Sequence, residues 1–154
     1  MTKFNALPTS LVRALQNGGP DAHGQTPERT LSDGGGNPCR HCLQYIPKDA
    51  EMLILAHRPF PSQQPYAETG PIFLCADQCE KHQGDQTPEI FERSPDYLIK
   101  GYNHEDRIVY GTGVVISKEH MLSQASDIFN DDRVAYIHIR SSRNNCYQAR
   151  IDRA

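Results

Sequence analysis

The chain has 154 residues, 37% of them hydrophobic and 8% aromatic with no Trp, which suits one modest core rather than two independent ones. Its net charge of −3 excludes a broadly basic nucleic-acid surface. With a mean hydropathy of −0.65 and no apolar run near the ~20 residues a bilayer requires, no membrane span is predicted.

The opening residues, Met1 to Pro8, lack the apolar stretch of an export signal, so a cytoplasmic protein is expected. Thr9 or Ser10 is placed to cap a short helix carrying Leu11, Val12 and Leu15. Nine of the 22 residues from 17 to 38 are Gly or Pro, so this segment is expected to be irregular and flexible within a single domain spanning 1–154. Arg29–Leu31 is the one extended piece predicted in it. Met52–Ala56 is a continuous apolar run, as in a strand buried on both faces, and Ile72–Leu74 is a second. Pro88 opens a short helix with Ile90 and Phe91 turned inward. Tyr97–Tyr102 and Arg107–Ile116 read as a hairpin turning at residues 103–106, with Gly111 and Gly113 marking a bulge. From 118 to 130, Met121, Leu122, Ala125, Ile128 and Phe129 fall on one helical face.

The last two strands alternate most clearly. Ala135, Ile137 and Ile139 interleave with Tyr136, His138 and Arg140, and Tyr147, Ala149 and Ile151 interleave with Cys146, Gln148, Arg150 and Asp152. Pairing Arg140 with Cys146 puts Ile137, Ile139, Tyr147 and Ile151 against the core and the polar set on the other face. The order of strands, hairpin, helix and hairpin predicts an α+β fold: a mainly antiparallel sheet with one or two packed helices and a Cys-rich, Gly/Pro-rich loop region.

Four segments carry a resemblance. They are Asn37-Pro38-Cys39-Arg40-His41-Cys42-Leu43, residues 65–74 from Pro65 to Leu74, Tyr97–Tyr102, and the end from Asp132 to Arg153. Together they resemble a bacterial family known only as domain-of-unknown-function family 1203. The resemblance covers nearly the whole chain. It implies a compact single-domain bacterial protein and brings no assigned activity, so the chemistry has to come from these residues.

Five cysteines without an export signal argue against a disulfide framework. Cys39-x2-Cys42 and Cys75-x3-Cys79 are two close pairs, the spacing by which thiolates surround a tetrahedral metal ion. The pairs meet if Met52–Ala56 runs out and Ile72–Leu74 runs back. Zinc held by Cys39, Cys42, Cys75 and Cys79 is therefore expected, in a structural role, with His41, His57 and His82 as substitute ligands. A redox motif at Cys39-Arg40-His41-Cys42 competes with this reading. However, Ile46-Pro47 leaves no room for the helix such a motif opens.

From Arg133 to Ala154 there are five Arg against one Asp in a chain of net −3. Guanidinium forks on neighbouring strands match carboxylate or phosphate. His138, Arg140, Arg143, Gln148 and Arg150 are thus expected to bind a small anionic ligand, unless this is simply the solvated face of the sheet. The function expected is a small ligand-binding or interaction domain, with no nucleic acid, no membrane and no legible protein partner. The alternative is a cysteine-dependent transferase or hydrolase in which His138 activates Cys146. The stiff Pro-rich loop from Arg58 to Gly70 offers Tyr66 and Glu68 as rim residues of a pocket, but it reads first as a structured connection between strands.

Overall fold

The architecture comes from a computed structural model that describes residues 2–154. Eight strands form two sheets: β1 Thr2–Asn5, β2 Glu28–Leu31, β3 Glu51–His57, β4 Gly70–Cys75, β5 Asp96–Tyr102, β6 Val114–Ser117, β7 Tyr136–Ser141 and β8 Tyr147–Arg153. Two α-helices, α1 Thr9–Gln16 and α2 Met121–Ile128, complete the core, so the fold is α+β with mainly antiparallel sheet. Among the described residues no helix is long and apolar enough to cross a membrane.

The larger sheet runs β1-β8-β7-β5-β6 and the smaller β2-β3-β4, with every strand pair antiparallel. α2 packs on the larger sheet because Met121, Ala125 and Ile128 share one helical face. They join Ile99, Ile137, Ile139, Ala149 and Ile151, which the two-residue strand period turns to the same side. Lys118–His120 starts this helical stretch as a 3₁₀ turn, so the α-helix proper is shorter than the predicted 118–130. α1 packs on the smaller sheet through Val12 and Leu15, against Leu53, Leu55, Ile72 and Leu74. Its N-cap is Pro8, which has no side-chain oxygen, and Thr9 is bound elsewhere.

Residues 17–38 hold β2, as predicted for Arg29–Leu31, and Ala22 donates its backbone N–H to the Ala56 carbonyl of β3. The predicted hairpin at 103–106 is present, closed by the Asn103 N–H to the Arg107 carbonyl. Gly111 lies in the left-handed region at φ +93°, which interrupts the returning strand before Val114.

Two further features differ from the sequence reading. Thr2–Asn5 is a strand paired with β8, and four residues offered too little alternation to reveal it. The pairing of β7 with β8 also slips. Arg140 opposes Tyr147 rather than Cys146, and the register shifts between Ile139 and Arg140. The bulge leaves Gln148 as the extra residue and turns Tyr147 to the His138 side. Ile137, Ile139 and Ile151 keep the core side; Tyr147 joins the second core with Leu7, Val12 and Leu15.

Candidate functional site: a cysteine corner and a cationic cavity

β3 and β4 run out and back, so Cys75 at the end of β4 returns beside the first cysteine pair. Cys39 bridges to Phe73 of β4, and the Arg40 N–H bonds the Phe73 carbonyl. The turn after Cys39 is closed by Leu43 N–H to the Cys39 carbonyl. No glycine follows Cys42; instead Leu43 itself takes the left-handed conformation at φ +55°, a cost offset by its complete burial. The four sulfurs of Cys39, Cys42, Cys75 and Cys79 lie within 4.8 Å of one another. Cys39 Sγ and Cys79 Sγ are 3.9 Å apart, and the Cys75 N–H points at Cys39 Sγ over 3.3 Å.

A second ring of groups holds these sulfurs. The His41 ring is fully buried, with Nδ1 3.1 Å from Cys79 Sγ and Nε2 2.9 Å from the Thr9 hydroxyl. With a Cys79 thiolate, Nδ1 donates and Nε2 accepts from Thr9. From α1, Arg13 donates to the Cys79 carbonyl, and the Gln16 amide donates to the carbonyls of Cys75 and Asp77. Cys79 is held well below the usual thiol range by donors from the other three thiols and His41, while hydrogen bonding within the cluster pushes Cys42 and Cys75 up. Cys39 sits at about 7 because Cys42 and Cys75 stabilise its thiolate. Among the substitute ligands, only His41 approaches a cysteine sulfur by hydrogen bond; His57 lines the cavities described next, and the His82 N–H bonds the His41 carbonyl. Arg40 lies within charge range of Cys39 but hydrogen-bonds backbone carbonyls rather than the thiols. Its Nε donates to the Tyr147 carbonyl and its Nη1 to that of Pro38, and burial lowers its pKa to about 10.

The polar side of β7 is not solvated. Tyr136, His138 and Arg140 are all buried, roofed by the Pro-rich loop whose Phe60 ring lies 5.0 Å from that of His138. Two cavities open here and share His57, Pro59 and Tyr147 as a wall. The first, about 430 Å³, is lined by Glu68, Arg140, Asn144, Asn145 and Cys146. The second, about 400 Å³, is lined by Phe60, Lys81, His138 and Arg150.

The expected five-residue anion site is therefore divided. Arg140 faces one cavity, while His138 and Arg150 face the other. Arg143 is drawn off to the hairpin tip by Asp96 at 3.0 Å. The Gln148 amide folds back on the Cys146 carbonyl, because the bulge took Gln148 out of the alternation. Nor are His138 and Cys146 brought together: the imidazole is packed among Phe60, Tyr102, Tyr136 and Tyr147, and Cys146 lines the Arg140 cavity.

Arg140 Nη2 lies 2.8 Å from Glu68 Oε2 and its Nη1 donates to the Asn145 carbonyl, yet Nε and Nη2 have no aligned hydrogen bond. Lys100 Nζ lies 3.7 Å from the other Glu68 oxygen. The Tyr102 hydroxyl, His138 Nδ1 and His57 Nε2 are also buried without an aligned hydrogen bond, although the Arg140 guanidinium stands beside the Tyr102 hydroxyl. Burial pushes Tyr102 up to about 12 and His57 down to about 4, where Arg40 and Arg58 add to the effect. His138 falls well below the usual imidazole range through burial and the nearby Arg140, Arg150 and Lys100. Sequence reasoning missed Lys100 and Tyr102 and treated Glu68 as part of a connection. The alternation of Lys100 and Tyr102 on β5 becomes informative only once their pairing with His138 and Tyr136 is known.

The model of the family described as "Protein of unknown function (DUF1203)" matches residues 36–153. The chain belongs to that family. All four clustered cysteines and Arg140 lie inside the DUF1203 match, whereas Thr9, Arg13 and Gln16, which brace the cysteines from α1, lie before it. No curated protein and no solved structure matches the chain.

Proposed function

We propose that this DUF1203 protein is a cytoplasmic ligand-binding domain, stabilised by one structural zinc ion, that binds a small anion at Arg140. The ligand reading is carried by one observation: a guanidinium only 4% exposed lines a cavity with its Nε unbonded and its Nη2 paired, without hydrogen-bond alignment, to the half-exposed Glu68. In such a setting a charge-assisted hydrogen bond is worth about 1.5–3 kcal/mol, against ~0–1 kcal/mol for an exposed pair.

The residues of the cysteine corner fit a thiophilic ion. Four sulfurs about 2.3 Å from zinc sit roughly 3.8 Å from each other, close to the spacing present. Buried Arg40 supports an anionic cluster, since it has no carboxylate partner among the described residues and follows Cys39 directly. A zinc ion on four thiolates has no open position for water, so it would brace the fold without taking part in a reaction. The five free thiols accord with a reducing compartment. Cysteine catalysis has less support, because His138 and Cys146 face different cavities.

Two measurements test this reading. Elemental analysis of protein purified without chelators is expected to give about one equivalent of zinc; metal-free folded protein refutes it. A thermal-shift screen of phosphates and carboxylates is expected to stabilise the wild type more than Arg140→Ala. Equal responses refute anion binding at Arg140.

A further inference from the structure

Glu68 is the one carboxylate at the Arg140 site, and it fits poorly. Its side chain is 44% exposed, on a loop bracketed by Pro61, Pro65 and Gly70, while the Arg140 side chain it reaches is 5% exposed. It approaches Arg140 Nη2 at 2.8 Å without hydrogen-bond alignment and Lys100 only at 3.7 Å. The Tyr102 hydroxyl lies beside the Arg140 guanidinium and near Glu68, and meets no acceptor in hydrogen-bond alignment. Two cations face one negative charge.

We propose that the Glu68 carboxylate occupies the position of the ligand's own anionic group, and that this group is a phosphoryl dianion. The inference rests on the anion-binding reading above. With Glu68 withdrawn, Arg140 and Lys100 present two positive charges, which a phosphoryl dianion neutralises. Set where the Glu68 carboxylate now lies, its oxygens would take over the pairing with Arg140 Nη2 and Lys100 Nζ and offer the Tyr102 hydroxyl an acceptor. No covalent change is involved; the ligand exchanges places with a side chain. The cavity of about 430 Å³ beside Glu68 has room for more than a bare phosphate, so a phosphate monoester fits it, with the ester body toward Asn144, Cys146 and Tyr147. Displacement frees the loop from Arg58 to Thr69 at its Glu68 end, so binding is coupled to a movement of that loop.

The test is titration calorimetry with two probes, inorganic phosphate and phenyl phosphate, on the zinc-loaded full chain. Glu68→Gln keeps the shape of the side chain and removes its charge. It is expected to bind both probes at least tenfold more tightly than the wild type, with phenyl phosphate ahead of phosphate if the cavity takes the ester body. Arg140→Lys is expected to lose most of the gain in the Glu68→Gln background, and circular dichroism checks that each variant is folded. If the wild type binds these anions through Arg140 but Glu68→Gln binds no more tightly, anion binding stands and the displacement proposal is overturned. If neither the wild type nor Glu68→Gln binds either probe, both fall.

Discussion

The cysteine corner and the Arg140 cavity are both buried and both polar, but their hydrogen bonding differs. At the corner, His41 uses both ring nitrogens, Gln16 and Arg13 hold backbone carbonyls, and the Cys75 N–H reaches a sulfur. Around β7, two nitrogens of Arg140, the hydroxyl of Tyr102 and one nitrogen each of His138 and His57 make no aligned hydrogen bond, although Arg140 Nη2 pairs with Glu68 at 2.8 Å. The exception at the corner is His82 Nε2, on the segment after Cys79. A buried polar group left unpaired costs free energy, so a saturated network reads as structural and an unsaturated one as kept open for something else. The corner resembles a part that is finished by a metal; the cavity resembles a part that is finished by a ligand.

The largest expected effect breaks the corner. Apparent zinc binding to a four-ligand structural site is worth about 10–16 kcal/mol, comparable to or above the whole stability of a domain, about 5–15 kcal/mol. Cys39→Ser, or removal of metal by a strong chelator, is expected to abolish the cooperative thermal transition followed by circular dichroism. Cys146→Ser, on the cavity side, is expected to melt within a few degrees of the wild type. A Cys39→Ser protein that melts like the wild type would remove the metal from the account.

The cavity side should show itself in acid. His57 titrates at about 4 when folded against 6.5 when free, and His138 is depressed in the same direction. Between these values the unfolded chain binds more protons than the folded one, so stability rises with pH. The contribution is complete above about pH 6.5 and is lost as the pH falls toward 4. His57 alone accounts for about 3 kcal/mol at most. The groups that hold the two imidazoles neutral are Arg40 and Arg58 for His57, and Arg140, Arg150 and Lys100 for His138. Asp131, drawn down to about 2 by Arg133, adds its own loss only below pH 4, outside the His57 window. Urea unfolding at pH 7.5, 5.5 and 4.5 measures the slope, which His57→Gln is expected to flatten.

A smaller effect concerns the groups around the sulfurs. Partners that orient metal ligands typically change affinity 10–100-fold when removed. His41→Ala is expected to weaken zinc binding by that factor, measured by chelator competition, while the protein still folds in excess zinc. Unchanged affinity would make His41 a packing residue only.

The cysteine corner was legible because spacing survives folding: two close pairs on segments joined by out-and-back strands had to meet. The alternation of β7 was legible too, and it correctly put His138, Arg140 and Arg150 on the side opposite Ile137, Ile139 and Ile151. What alternation cannot reveal is a bulge, because one extra residue such as Gln148 reverses the facing of everything beyond it. Tyr147 and Gln148 were misplaced for that reason, and the five-residue anion site divided with them. Glu68 was legible as a rim residue of a pocket, but its pairing with Arg140 was hidden for a different reason. It lies 72 residues from Arg140 on a loop with no period to read, and only the tertiary fold brings the two charges together.

The smallest effect in magnitude separates the two regions by sign. Tyr102→Phe removes a buried hydroxyl that stands beside Arg140 without an aligned hydrogen bond, and Thr9→Val removes a hydroxyl that bonds His41 Nε2 at 2.9 Å. Both changes keep the shape of the side chain. Losing the partner of a buried group costs about 1–3 kcal/mol, whereas deleting an already unpaired group costs nothing and relieves its desolvation. Thr9→Val is therefore expected to lower the unfolding free energy by about 1 kcal/mol or more, and Tyr102→Phe to leave it level or raise it by up to about 1 kcal/mol. With saturating phosphate the order changes for Tyr102→Phe alone, because the hydroxyl then has an oxygen to meet. Its gain should shrink or reverse while the Thr9→Val deficit stays constant. If Tyr102→Phe instead destabilises the free protein as much as Thr9→Val does, the Tyr102 hydroxyl is already satisfied, and the contrast between a closed corner and an open cavity loses its ground.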